Sequence, residues 1–247
     1  MKDTTHFGYQ EVPINEKTYR VREVFNRVAR RYDLMNDLMS LGLHRLWKRV
    51  AIETLAIRPG MRILDLAAGT GDLARAMARR TGSDGSIFLA DINDQMLRAG
   101  RDSAIDAGQL SGLHWCQCDA EALPFPTHYF DRVTIGFGLR NVTKKEDALG
   151  EIFRVLKPGG QALILEFSKP TSHSLTQAYN LYSFSVLPLL GKVVAGDMDS
   201  YQYLAESIRK HPDQNTLKAM METAGFESVR YQNLTGGIVA IHNGTRP

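Results

Sequence analysis

Residues 64–74, LDLAAGTGDLA, are the first place in the chain where residue types and spacing could do chemistry. An apolar run carrying one acid, Asp65, meets Gly69-Thr70-Gly71 and then a helical pattern from Asp72. A strand, a tight glycine turn and a helix N-terminus bring backbone N–H groups against a ligand where side chains would block it. The Thr70 hydroxyl can cap that helix or touch the ligand. GTGDLA also fits G-x-G-x-x-G/A, and Asp91 stands about 20 residues on, where an acid for ribose hydroxyls belongs. A nicotinamide-dependent oxidoreductase is therefore one class these residues allow. Asp65 pulls away from it: inside the strand, ahead of Gly69, it would face the amino group of an amino-acid-bearing cofactor, a cation that a hydride carrier lacks. Asp119 and Ala120, in CDAEALPFP, pull the same way, placing a carboxylate or a backbone N–H beside an adenine edge.

Those residues need a scaffold, and the pattern around them supplies one. From Met61 short apolar runs alternate with amphipathic segments, the signature of βαβ units and a mostly parallel sheet. Strands are expected over RILDLA (62–67), SIFLAD (86–91), LHWCQ (113–117), FDRVTIG (130–136) and QALILEF (161–167). FESVRYQNL and GIVAIHN, around the turn signal Thr235-Gly236-Gly237, complete seven strands as an antiparallel hairpin. Helices should lie near 71–80, 94–107, 143–156 and 213–224, with two more near 18–31 and 40–56 ahead of the sheet. The fold class is thus α/β, a doubly wound, mostly parallel seven-stranded sheet. Residues 1–60 are read as an N-terminal helical cap, and 61–247 as the cofactor-binding domain with a helical insertion at about 170–212.

With RVLKPGG ahead of the fifth strand, these features resemble the class I S-adenosylmethionine-dependent methyltransferases, whose sheet is Rossmann-like. The resemblance narrows at Tyr32, Asp33, Met35, Asn36, Ser40, His44 and Trp47 and at RVLKPGGQALILEFS, which are similar to the two signature stretches of the C-methyltransferases of ubiquinone and menaquinone biosynthesis. It extends over nearly the whole chain, including FGLRNV and the segment from Tyr179 to Tyr203. It implies S-adenosyl-L-methionine as cofactor, with Asp65, Gly69, Thr70, Gly71, Asp91, Asp119, Ala120 and Gly136 around it. It also implies methylation of a ring carbon of a polyprenylated quinol: demethylmenaquinol, 2-methoxy-6-polyprenyl-1,4-benzoquinol, or both. The chain departs from the family at Gly136, where a serine is expected before FGLRN. One neutral hydrogen bond, about 0.5–1.5 kcal/mol net, is at stake there.

Open α/β sheets bind ligands at the carboxyl ends of their strands. Arg140 and Asn141 follow the fourth expected strand, so Arg140 is assigned to a developing phenolate and Asn141 to orienting the acceptor. YDLMNDLMS (32–40) links the two N-terminal helices. Ser40, Asn36 or Asp37 can cap the second helix, Met35, Leu38 and Met39 offer soft apolar surface, and Tyr32 is placed near the methyl acceptor. The same residues would serve simple helix packing equally well. No Ser/His/Asp order and no metal-ligand spacing appears, so no metal is expected; His44, Tyr201 or a water are the candidate bases.

Composition limits the partners. The 247 residues carry a net charge of +3, 43% apolar and 23% charged residues, average for a folded protein. Basic residues come in pairs rather than in a stripe, so nucleic acid is not expected. Cys116 and Cys118 read as a reduced, buried pair. No leader-like segment and no run of roughly 18 apolar residues occurs, which points to the cytoplasm. LTQAYNLYSFSVLPLLGKVVAGD is too broken to span a bilayer, yet apolar enough to line a prenyl tunnel or to rest weakly on the inner face of the membrane. A homodimer or a complex of quinone-biosynthesis enzymes is left open. So are methylation of another small molecule, the oxidoreductase, and a non-catalytic scaffold.

Overall fold

The computed structural model describes residues 4–29, 36–37, 40–109, 111–190 and 197–247. It opens on an element that the sequence reading misses, a hairpin of β1 (Thr4–Phe7) and β2 (Gln10–Pro13). Gly8 makes the turn at φ 59°, and a Cβ there would lie 2.2 Å from Glu206 Oε2. Only glycine permits both that backbone angle and that approach. Helix α1 (Ile14–Val28) follows, starting ahead of the expected residue 18, and α2 covers His44–Thr54. Ser40 serves the start of α2, its Oγ accepting the His44 N–H at 3.2 Å.

The sheet consists of β3 (Arg62–Leu66), β4 (Ser86–Asp91), β5 (Leu113–Gln117), β6 (Phe130–Gly136), β7 (Leu156–Phe167), β8 (Glu227–Leu234) and β9 (Val239–Thr245). Their spatial order is β5-β4-β3-β6-β7-β9-β8, and only β9 runs against the rest, antiparallel to both β7 and β8. β7 begins before the expected Gln161 because Leu156 already pairs with Phe130; the KPGG segment then loops out before Gln161 pairs with Arg132. Helices α3 (Asp72–Thr81), α4 (Asp94–Asp106), α5 (Lys145–Val155) and α8 (Gln214–Thr223) lie within a residue or two of expectation. The insertion contains α6 (His173–Leu181), continued by a π-helical turn (Tyr182–Val186), and α7 (Met198–Lys210).

Helical spacing explains how the N-terminal helices dock. Lys17, Val21, Val24 and Val28 fall on one stripe of α1, and Trp47, Ala51 and Leu55 on one stripe at α2. Both stripes enter the same buried cluster as Ile63, Leu163 and Leu165 of the sheet. Each leucine-sized side chain so buried contributes about 1.5–3 kcal/mol. The cap therefore shares the core of the sheet. Among the described residues no helix is long and apolar enough to cross a membrane.

Candidate active site

The topological switch of this sheet lies at β3, from which the strand order runs outward in both directions. A cavity opens there at the carboxyl ends of the strands, walled by Gly69 after β3, Asp91 and Asn93 after β4, Asp119 and Ala120 after β5, and Asn141 after β6. Of the expected cofactor residues, then, Gly69, Asp91, Asp119 and Ala120 meet on one wall.

Asp91 is held by its own backbone neighbours. Oδ2 accepts the Gly69 N–H at 2.8 Å and Oδ1 the Asn93 N–H at 2.8 Å. Burial pushes its pKa up, while these N–H bonds act against that shift. Each carboxylate oxygen retains a lone pair, so the group remains able to accept two hydroxyls from the cavity side. Asp119 Oδ1 accepts the Glu121 N–H at 2.9 Å. The residues after it form a turn, with Asp119 bridged to Ala122, rather than a helix.

Asp65, Thr70, Gly71 and Gly136 are not on the cavity wall. Asp65 is 1% exposed; Oδ1 accepts the Thr134 hydroxyl at 2.7 Å, whereas Oδ2 is buried with no hydrogen bond. Burial lifts its pKa to about 7, against the Thr134 bond and the field of Lys48. Thr70 Oγ1 is likewise buried without a partner. Gly71, at φ 76°, is the left-handed residue from which α3 starts, and a Cβ there would meet Leu89 at 2.4 Å. Its role is to seat the turn. A Cβ on Gly136 would stand 3.4 Å from Leu73, an ordinary contact.

After β6 the two expected catalytic residues part company. Asn141 reaches the cavity, with its Oδ1 accepting the Tyr203 hydroxyl at 3.0 Å. Arg140 turns inward, 6% exposed. Its Nη1 meets Glu166 Oε1 at 2.9 Å and the Phe137 carbonyl, and its backbone N–H donates to Glu166 Oε2 at 3.2 Å. Nε is buried without a partner, and the guanidinium lies over the Phe167 ring. Tyr32, Met35, Leu38 and Met39 lie outside the described residues. His44 Nδ1 is 2.9 Å from Ser40 Oγ and is buried; desolvation, followed by Lys48, lowers its pKa and keeps the ring neutral at pH 7. Tyr201 is wholly buried in the core.

Helix α1, one of the N-terminal helices free to wall the site, does so with residues that sequence reasoning does not single out. Val21, Arg22 and Phe25 line the cavity. Asn93 ties α1 to the loop after β4, its Nδ2 reaching Asn26 Oδ1 at 2.9 Å, while its Oδ1 caps α4 through the Gln95 and Met96 N–H groups. An asparagine directly ahead of an amphipathic helix is the signal that could have marked it.

Two kinds of comparison bear on this geometry. Among solved structures, the methyltransferase in a complex with the Trm112 activator of Haloferax volcanii has a TM-score of 0.67 at 18% identity, with 92% of this chain and 97% of that chain covered. An S-adenosylmethionine-dependent methyltransferase from Aquifex aeolicus has a TM-score of 0.61 at 15% identity, with 81% and 89% covered. The fold is that of the class I methyltransferases. The sequence is more specific: residues 13–246 match the model of the ubiE/COQ5 methyltransferase family, and the chain belongs to that family. Two relatives are the ubiquinone/menaquinone biosynthesis C-methyltransferases of Stutzerimonas stutzeri and Azotobacter vinelandii. The first is 60% identical over 99% of this chain and 95% of its own length, the second 58% over 100% and 97%. The resemblance drawn from the signature stretches therefore holds.

Proposed function

We propose that this protein is an S-adenosylmethionine-dependent C-methyltransferase of a polyprenylated quinol, in the biosynthesis of menaquinone, ubiquinone or both. The observation that carries the reading is identity of about three residues in five, end to end, with relatives of that named activity. The residues present suit the cofactor. Asp65 holds a buried, unpartnered carboxylate oxygen fit for an ammonium, and Asp91 offers two acceptors fit for ribose hydroxyls. Asp119 and Ala120 border the position for a purine. When bound, S-adenosylmethionine supplies a methyl group activated by a sulfonium.

The chain's own work is to fix the acceptor carbon in line and keep it electron-rich. Asn141, its carbonyl oxygen engaged by Tyr203, presents its amide NH₂ to an acceptor oxygen. Arg140, paired with Glu166, acts on that loop as a positioning residue and favours negative charge through its field. A quinol losing a phenolic proton brings electron density that a quinone lacks, so the reduced ring is the substrate. The apolar face of α6, its π-helical turn and the short helical turn Leu187–Leu190 that follows, with Leu181, Phe184 and Leu189 exposed, offers the prenyl tail a path. The protein works in the cytoplasm at the inner face of the membrane that holds this tail.

Initial rates with one short-tailed acceptor, kept reduced with dithionite and then kept oxidised, test the reading. Methylation of the quinol alone is expected, and equal rates in the two redox states would overturn it.

A further inference from the structure

Helices α2 and α3 lie side by side on the outside of the sheet. Lys48 Nζ meets Asp72 Oδ2 at 2.9 Å near their first turns, and Arg80 donates to the Ile52 carbonyl at 3.4 Å near their last. The groove between them is lined by Arg45, Lys48, Arg49, Arg79 and Arg80, with Asp72 as its one carboxylate. Asp37 and Glu53 reach Arg45 and Arg80 from the rim, at 2.8 and 3.9 Å. Arg49 and Arg79, both exposed, have no acid within 4 Å among the described residues. Such a concentration of cations is more than cofactor chemistry requires, since neither Arg49 nor Arg79 lines the cavity.

Apolar surface continues this face at one end. Leu41, Leu43 and Leu46 are 74%, 38% and 53% exposed where α2 begins. That end is also the acceptor's end. Trp47, on the next position of α2, packs against the rings of Phe137, just after β6, and Phe167, the last residue of β7, and Phe137 lines the cavity. Cations along a groove with leucines at its tip match an interface in which headgroup phosphates meet the arginines while the leucines enter the acyl boundary. A soluble polyanion would satisfy the cations and leave the leucines in water.

We infer that the α2–α3 face, with Leu41, Leu43 and Leu46 at its tip, is the surface by which the protein docks on an anionic lipid bilayer. Docking there would present the carboxyl end of the sheet to the membrane. The value of that orientation rests on the acceptor being a membrane-held quinol, whereas the docking itself does not.

Flotation of the full chain with phosphatidylcholine vesicles, with and without phosphatidylglycerol, tests this. Binding is expected only with phosphatidylglycerol and should fall as salt rises. At about fivefold per surface cation, the double variant Arg49→Glu/Arg79→Glu should bind at least about 25-fold more weakly. Leu41→Ser/Leu46→Ser should lower what binding persists at high salt. Both variants should keep wild-type turnover on a short-tailed, water-soluble quinol, which also shows that they are folded. A charge-reversed protein that floats like the wild type would overturn the inference. Displacement from vesicles by inorganic phosphate at low concentration would do so too, as it would mark a small-anion site, and by an oligonucleotide likewise. A wild type that floats yet methylates no quinol would leave the docking face standing and remove the acceptor assignment.

Discussion

The carboxyl ends of β3 and β4 hold their charges in the opposite way to those of β6 and β7. Asp65 and Asp91 keep acceptor capacity that the chain does not fill, including one buried oxygen with no partner at all. Arg140 and Glu166, 3% and 2% exposed at their side chains, neutralise each other, with Arg140 Nε the one buried atom of the pair left without a hydrogen bond. Burying a charge is costly unless it is paired and hydrogen-bonded. An unfilled carboxylate in the core is therefore held for something that comes and goes, while a filled ion pair is held for the chain itself. The same sheet thus binds with one half and braces with the other.

The sharpest break of this contrast is Glu166→Ala. It strands a buried guanidinium and removes the acceptor of two backbone N–H groups, so stability should fall by about 3–5 kcal/mol. Denaturant unfolding measures it. Replacing Arg140 and Glu166 together by apolar residues of similar volume should cost far less, and equal losses would deny that the pair is a brace.

On the binding side, Asp91→Ala removes the acceptor of two hydroxyls and should weaken S-adenosylmethionine by about 2–4 kcal/mol. Calorimetry on the folded variant reads this directly, and an unchanged dissociation constant would take Asp91 out of the site.

Asp65 gives a subtler effect, through pH. Its pKa is raised from 3.8 to about 7 in the folded chain, so the apoprotein takes up more protons than the unfolded chain between those values. The stability this contributes is complete at acid pH and is lost as pH rises through about 7. A ligand ammonium favours the ionised form, so cofactor affinity should rise with pH, by at most about tenfold per unit, up to about 7. Asp65→Asn should flatten both profiles. Thermal unfolding and calorimetry from pH 5 to about 8 compare them, and parallel wild-type and variant profiles would refute the assignment.

The smallest effect belongs to Gly136→Ser. With ordinary contact distance to Leu73 for the added Cβ, the family's serine should be accommodated with a change of cofactor affinity below about 1.5 kcal/mol.

Most of the sheet was legible because its code is local. Runs such as ILDL and ALILEF are too apolar to lie anywhere but between layers, and Thr235-Gly236-Gly237 marks its hairpin without help from the rest of the fold. Gly69 and Asp91 were legible for the same reason, each sitting at a strand end with a turn signal beside it. The brace was not. Arg140 and Glu166 are 26 positions apart, and nothing local says that β6 lies beside β7 with the two residues at matching ends. Read without its partner, Arg140 looked like a residue free to meet a phenolate. The lining residues of helix α1 escaped because Val21 and Phe25 look like any packing stripe. The β1–β2 hairpin was readable in principle from Gly8 between two short polar-apolar runs, but strands of four residues carry too little pattern to compete with a nearby helix.

That hairpin sets a schedule for making the protein. Its anchors are Glu206, which receives the Tyr9 N–H at 3.0 Å across 197 positions of sequence, and Tyr203, stacked on Phe7 at 4.2 Å. Isolated two-stranded hairpins are marginal in water. At synthesis rates of about 5–20 residues per second, the first strands wait roughly 10–40 seconds for α7 to emerge. Helix α1, joined directly to the hairpin, gains this support only then. No residue beyond Thr143 lines the cavity among those described, yet a nascent chain that stops short of α7 should lack a firmly seated cofactor wall, so competence to bind arrives near the end of translation.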